Sequence, residues 1–527
     1  MKAVRGSERF KEYWLSDRDR QLHLRELPRL LDARLLAPST CVWAFTLIWI
    51  LSGSRAALLS LGFLAATTAL LPLAKNSAPI SWRSRLQPLL GVLMLCLLLA
   101  CIQGALITAR GYQERWDFLD AANGQGVRFS GSVLASSPSA YGDSLTQVRI
   151  GELEYRGQIL DQFLTLSIFT DSRFEAGSEV TGVGTLTVDG SYYRVKGGLY
   201  SQSTDVPPPP VYGHKTMVRE RVVQEVGRDA AGLLLGMAYG DDSSLSAEAV
   251  HRMRVAGLTH LTAVSGANIS LVFVVSYRLA QKIRINRYAL VLIGLISATV
   301  YVGLVGLDGS VLRAWVMGIL GGLGMVLGHG AHRVTALCTC LLVLLVLSPE
   351  LASNYGFALS VIATASLLFL APALRRLASK FLPGILADVI AIPLSAALWC
   401  APLILLLSDA VYPYTVLANV LVAPMVAPLT FVGLLLLIGA ALGTWASFLV
   451  SFLFWAGELL AGSVHAVASW VTHLPASSVA LPASPQTVAV STTLVALFTA
   501  GIIVADSRLN RPPPVRQPIL SKQVSRK

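Results

Sequence analysis

From residue 259 to residue 505 the chain is almost continuous apolar sequence, in nine runs at 259–281, 287–306, 309–328, 333–348, 353–373, 383–407, 412–441, 445–469 and 487–505. A helix needs about 20 apolar residues to cross the hydrocarbon core of a bilayer. In lipid only helices and closed barrels can satisfy their own backbone. Successive runs of this length therefore specify a bundle of membrane-crossing helices. Three more runs lie near 38–53, 55–74 and 87–107. Only 14% of the residues are charged, against about 25% in soluble domains, which excludes one large soluble core. The expected fold is an α-helical polytopic membrane protein of about 12 spans. The run at 38–53 is short and must tilt or borrow flanking residues. The run at 412–441 is too long for a simple span and contains Pro424 and Pro428, so a bend, a break or a re-entrant segment is expected there.

Residues 108–206 differ in kind, being rich in Gly, Ser and Thr. Short alternating stretches at 127–134, 147–150, 163–169 and 183–188 are separated by turn residues. Period-two alternation of this sort reads as an inserted small β-barrel, OB-like in length, with a small β-sandwich as the alternative. The four prolines Pro207–Pro210 form a stiff linker. Val218, Val222 and Val226 recur at helical spacing beside Lys215, Arg219, Arg221 and Arg228, which reads as a helix lying on the membrane surface. A second amphipathic helix is expected near 245–256.

The net charge of +12 comes from 42 basic and 30 acidic residues. The positive-inside rule accounts for it without nucleic acid. With the basic N-terminal tail inside, Lys75, Arg83, Arg85, Lys282, Arg284, Arg287, Arg333, Arg375, Arg376 and Lys380 all fall in inside loops, while Asp308, Glu350 and Asp409 fall outside. This gives both termini a cytoplasmic position and makes the β domain extracellular. The expected organisation is a cytoplasmic tail at 1–37, three membrane helices at 38–107, the extracellular OB-like domain at 108–206, a linker with interfacial helices at 207–258, about nine membrane helices at 259–506 and a cytoplasmic tail at 507–527. The first apolar run follows about 37 polar residues and reads as an anchor, not a cleaved leader. All six cysteines lie in apolar runs and read as buried thiols.

The richest polar stretch in an apolar run is Gly257-Leu-Thr-His-Leu-Thr-Ala-Val-Ser-Gly-Ala-Asn-Ile269. His260, Thr262, Ser265, Asn268 and Ser270 are costly in hydrocarbon and must face protein or water. Thr262, Ser265 and Asn268 are three apart and are expected to share one helix side. That side is either a lining of a polar pathway or hydrogen-bonding glue in a tight interface, which Ala263 and Gly266 would permit. Arg313 lies one turn inside its run, at the electrostatically unfavourable end of a helix. It either snorkels or pairs with Asp308, or it contacts a phosphate. Asp388 lies early in its run, Asn419 precedes Pro424, and Glu458 lies mid-span seven residues before His465. Glu458 and His465 form either a proton relay or one structural hydrogen bond.

No catalytic residue, cofactor or metal is expected. There is no Gly-x-x-x-x-Gly-Lys-Ser/Thr loop and no His-x-His-x-Asp-His cluster. His329 and His332 have no acidic partner in sequence.

The stretch 232–269, with Gly-Leu-Leu-Leu-Gly-Met followed by His260-Leu-Thr-Ala-Val-Ser-Gly266, closely resembles the ComEC family of competence proteins. Ser310-Val-Leu-Arg-Ala, Gly356-Phe-Ala-Leu-Ser and Ala418-Asn-Val-Leu-Val-Ala-Pro match further family motifs in order. The resemblance implies a channel that passes single-stranded transforming DNA across the cytoplasmic membrane. It points to His260, Ser265, Gly266, Arg313, Phe357 and Ser360 as residues that line, gate or shape the path; Thr262, Asn268 and Asn419 join them as candidates. It implies single-stranded DNA, membrane lipid, a cytoplasmic motor and an extracellular DNA receptor as partners, with a homo-oligomer open. Two departures stand out. Longer members carry a C-terminal metallo-β-lactamase-like domain, and this chain is expected to be a short form without it. Residues 126–205 hold six basic and nine acidic residues, a net charge of −3, so the counts show no basic face; Tyr192, Tyr193 and Tyr200 near Arg194 and Lys196 offer at most a local DNA patch, and the alternative is an assembly or docking module. A proton-coupled transporter of a small solute or lipid, and a membrane scaffold, are the rival functions.

Overall fold

The computed structural model describes residues 35–50, 61, 65, 80–110, 112–138, 144–170, 174, 177–189, 192–201, 210–283, 285–327, 333–439 and 447–509. The expected second span, both terminal tails, the proline linker and the turn carrying His329 and His332 lie outside these residues, except for a few positions at their edges. The chain divides into two compact units, Met1–Val361 with Tyr412–Val479, and Ile362–Val411 with Ala480–Lys527.

The first unit opens with helices α1 (Leu36–Ile50) and α2 (Ile80–Ala109), then the short α3 (Tyr112–Ala122). Five strands come next: β1 (Gly126–Pro138), β2 (Ser144–Tyr155), β3 (Gln158–Thr170), β4 (Glu179–Asp189) and β5 (Tyr192–Ser201). They close into a barrel in the order β1-β2-β3-β5-β4, with a parallel β3–β5 pair completing the circuit. This is the expected barrel and not a sandwich. The alternation explains it. On β1 the side chains of Val127, Phe129 and Val133 are buried while Arg128 is exposed. Leu164, Leu166 and Ile168 of β3 fill the same core, joined by Leu119 and Ala122 of α3. Burying each large aliphatic side chain contributes roughly 1.5–3 kcal/mol.

Beyond the barrel stand α4 (Pro210–Val226), α5 (Arg228–Tyr239) and α6 (Ala247–Val255). The valine stripe of α4 does not face lipid, as a surface helix would require. Val218, Val222 and Val226 are buried in one core with α5 and with residues 418–471. Helix α5 is buried from Ala231 to Tyr239. A helix apolar on all sides needs such a setting. The remaining helices of this unit are α7 (Gly266–Gln281), α8 (Arg287–Val305), α9 (Gly309–Leu327), α10 (Arg333–Leu347), the first part of α11 (Tyr355–Phe369) and, later in the sequence, α14 (Thr415–Gly439) and α15 (Ser447–Thr472). Helix α14 runs on through Pro424 and Pro428 without the expected break. Membrane helices tolerate internal proline when neighbouring groups take up the freed carbonyl.

The second unit contains α12 (Ala371–Ala378), α13 (Gly384–Ser408) and α16 (Pro485–Leu509). Arg376 binds Asp506 through Nε and Nη2 at 2.6–3.1 Å, a paired fork geometry. Arg375 Nε lies 2.7 Å from Asp388, so the acidic residue early in this span has a structural partner. Trp399 Nε1 donates to Thr499 at 3.1 Å.

Among the described residues, eight helices are long and apolar enough to cross a membrane, or nine if α11 and α12, bent by 43°, form one span. Helices α1 and α10 are apolar but shorter. The polytopic helical fold with an inserted barrel therefore stands. The figure of twelve is not reached, because one run lies outside the described residues and two yield short helices.

Candidate functional site

The polar break before α7 is built by the buried end of α5. A helix leaves its last carbonyls without partners. Here Asn268 Nδ2 donates to Met237 O at 2.6 Å, and the Tyr301 hydroxyl donates to Ala238 O. Gly236 makes this fit possible, since a Cβ at that position would lie 2.8 Å from Thr262 O. The chain then makes one 3₁₀ turn at Thr259–Leu261, and α7 begins only at Gly266. Thr262, Ser265 and Asn268 consequently do not share a helix side. Thr262 donates to Thr259 O at 3.0 Å within the turn, and Ser265 Oγ donates to Asn268 Oδ1 at 3.0 Å across the helix start. Docking of the α5 terminus displaces the helix start, and sequence spacing carries no trace of that.

Three of the motif stretches meet just beyond the break. Arg313, half-buried in α9, donates from Nε to Ser360 Oγ of α11 at 2.8 Å. Its Nη1 lies 3.4 Å from the sulfur of Met317. A Cβ built on Gly266, at the start of α7, would lie 3.5 Å from Arg313 Nη2 and 3.1 Å from Ala314 Cβ. The guanidinium is therefore held between the first turn of α7 and Ser360. Among the described residues it has a hydroxyl and a thioether as partners and no carboxylate. Asp308 does not pair with it; burial pushes the Asp308 carboxyl above its ordinary range. The first turn of a helix presents free N–H groups and the positive end of its dipole. An arginine beside it strengthens the attraction for an anion.

Phe357 is fully buried and shapes this site from behind. Its N–H donates to Asn354 Oδ1 at 2.8 Å, and its ring lies 5.6 Å from that of Trp43. Gly309 allows the helices to close, since a Cβ there would lie 2.9 Å from Phe357 Cβ. His260 is exposed on the other side of the break, against the Gly257 backbone. Asn419 belongs with it, donating to Thr415 O at 2.8 Å and to Gly257 O at 3.5 Å. The structure thus groups Ser265, Gly266, Asn268, Arg313, Phe357 and Ser360, and sets His260, Thr262 and Asn419 apart.

Glu458 and His465 share no hydrogen bond with each other among the described residues. His465 Nε2 lies 3.0 Å from the backbone oxygen of Asp229, while Glu458 is exposed. Tyr301 and Met317 escape sequence reasoning. Tyr301, a lone hydroxyl in an otherwise apolar run, was the available signal; Met317 offered none.

The fold and site define a class: a polytopic helical membrane protein with a broken polar helix start and an inserted barrel. The family model described as Competence protein matches residues 237–506, half of the chain, and the chain belongs to that family. It is similar to ComE operon protein 3 of Bacillus subtilis (strain 168), at 27% identity over 140 residues. That stretch covers 27% of this chain and 18% of the relative. No solved structure matches the chain.

Proposed function

We propose that this protein is the conduit through which single-stranded DNA crosses the bacterial cytoplasmic membrane during natural competence. Membership of the Competence family supports the broader role in DNA uptake. The observation that carries the finer reading is Arg313, a cation inside a membrane helix with no carboxylate partner among the described residues, beside the N-terminal turn of α7. A buried charge without a counterion is costly unless its task is to meet one. A passing phosphate supplies that counterion, and Gly266, where a Cβ would lie 3.5 Å from Arg313 Nη2, leaves room beside it. Ser265, exposed at the start of α7, serves as a further contact, and His260, on the other side of the break, is tested with it. In this reading both termini are cytoplasmic, the barrel is extracellular, a receptor delivers DNA from outside and a cytoplasmic motor draws the strand in.

The test is uptake of labelled transforming DNA into a deletion strain carrying wild type, Arg313→Ala, or His260→Ala with Ser265→Ala, at matched membrane abundance. Loss of cytoplasmic DNA in the deletion strain and in Arg313→Ala is the expected result. Normal import in the deletion strain would overturn the reading.

A further inference from the structure

The helices that precede the barrel grip one short segment, the end of α10 and the turn after it. The last carbonyls of α10 have no partners inside the helix. Gln103 Nε2 of α2 donates to Leu345 O at 2.7 Å. Arg110 Nη1 donates to Val346 O and Leu347 O at 2.5 and 3.1 Å, where a cation also suits the negative end of the helix dipole. Trp43 Nε1 of α1 donates to Ala352 O at 2.8 Å. Arg115 of α3 extends this grip to the barrel. Its guanidinium lies 5.7 Å from the ring centre of Tyr112 and 6.0 Å from that of Tyr193, and its Nη1 is 3.7 Å from Glu350 Oε2. Tyr193 belongs to β5 and is buried in the barrel core. Glu350 lies in the 3₁₀ turn Pro349–Ser353.

Arg115 lines a cleft together with Trp49, Trp116, Tyr112, Tyr193 and Glu350. An aromatic cage with a carboxylate is a cation site in general chemistry. Here Tyr112, Tyr193 and Glu350 already engage a cation, the chain's own Arg115, whose side chain is 11% exposed. The arrangement is therefore a joint. The residues just after Glu350 give the joint its consequence. Asn354 caps the Phe357 N–H, Trp43 touches the Phe357 ring, and Ser360, one turn on, holds Arg313.

We propose that Arg115 is a positioning residue that fastens the barrel to the Pro349–Ser353 turn and so keeps Ser360 set against Arg313. This rests on the conduit reading of Arg313 for its functional consequence, not for its geometry. It joins the barrel, which lies outside the family match, to the cation within it.

Two measurements test it on the full-length protein. In the uptake assay, Arg115→Glu and Glu350→Arg each lower import about tenfold or more at normal abundance, and the double reversal brings it back to within about threefold of wild type. In hydrogen exchange on the purified protein, Arg115→Glu speeds exchange of residues 349–360 by about tenfold while β2 and β3 keep wild-type protection. A double reversal no better than the single variants would overturn the proposal, as would exchange in 349–360 that stays at the wild-type rate. Should Arg115→Glu unfold the barrel, seen as lost protection in β2 and β3, Glu350→Gln keeps the side-chain volume and must still speed exchange in 349–360; unchanged exchange refutes the joint. The two readings fail separately. If Arg313→Ala imports DNA normally, the conduit reading fails and the exchange result alone decides the joint. If Arg313→Ala is inactive but Arg115→Glu imports at the wild-type level, the coupling fails and the conduit stands.

Discussion

Arg313 is held by Ser360, a hydroxyl that removes no charge from it. Replacing Ser360 by Ala leaves Nε without a partner in a half-buried setting, a loss of about 1–3 kcal/mol in how firmly the guanidinium is placed. Ser360→Ala is therefore expected to lower DNA import several-fold, and less than Arg313→Ala, in the same labelled-DNA assay at matched abundance. Arg313→Lys keeps the charge but loses the planar fork, and falls between the two. Equal import by Ser360→Ala and wild type would show that the hydrogen bond has no part in transport. Each of these residues is legible in the sequence as a polar position inside an apolar run. Their meeting is not. Arg313 and Ser360 are 47 positions apart, and no periodicity links two helices at that separation. Glu458 and His465 illustrate the converse: spacing of seven puts them on one helix face, yet the imidazole turns to a backbone carbonyl of another helix.

At the level of elements, the decisive piece is α5, a 12-residue helix that ends inside the protein and hands its carbonyls to Asn268 and Tyr301. Asn268→Ala leaves Met237 O buried and unpaired, at a cost of about 1–3 kcal/mol. The thermal midpoint of the detergent-solubilised protein is expected to fall, and to fall less in Tyr301→Phe if its carbonyl finds other donors. An unchanged midpoint in Asn268→Ala would mean that the break is not held by this contact. Gly309→Leu tests the neighbouring contact, because the new side chain must enter space held by Phe357. Overpacking of this kind costs about 1–3 kcal/mol, so a lower midpoint is expected in the same thermal scan. The strands of the barrel could be read from period-two alternation, since a strand's two faces are set locally. The late start of α7 could not, because a helix that docks from about thirty residues upstream decides it.

At the scale of the whole molecule, hydropathy measures length and apolarity, which is why the polytopic fold was legible. Helix α4 was not, because its valine stripe fits a lipid surface as well as it fits the protein core that buries it. The joint at Arg115 was equally hidden, since it draws Tyr112, Tyr193 and Glu350 from three distant segments. It leaves a mark in the pH dependence of the protein. Burial, with the Glu350 charge behind it and the Arg115 charge opposing, pushes the Tyr112 phenol up to about 12. An unfolded tyrosine releases its proton near pH ~10. Between these values the unfolded chain binds fewer protons than the folded one, so stability falls as pH rises. The contribution of Tyr112 is complete below pH ~10 and is lost on passing through about 12. Tyr112→Phe removes this titration. The slope of stability against pH over that window, measured by near-ultraviolet circular dichroism in detergent, is expected to flatten in the variant while Tyr277→Phe, in a span away from the joint, keeps the wild-type slope. Identical slopes in wild type and Tyr112→Phe would place Tyr112 in contact with water and remove it from the joint.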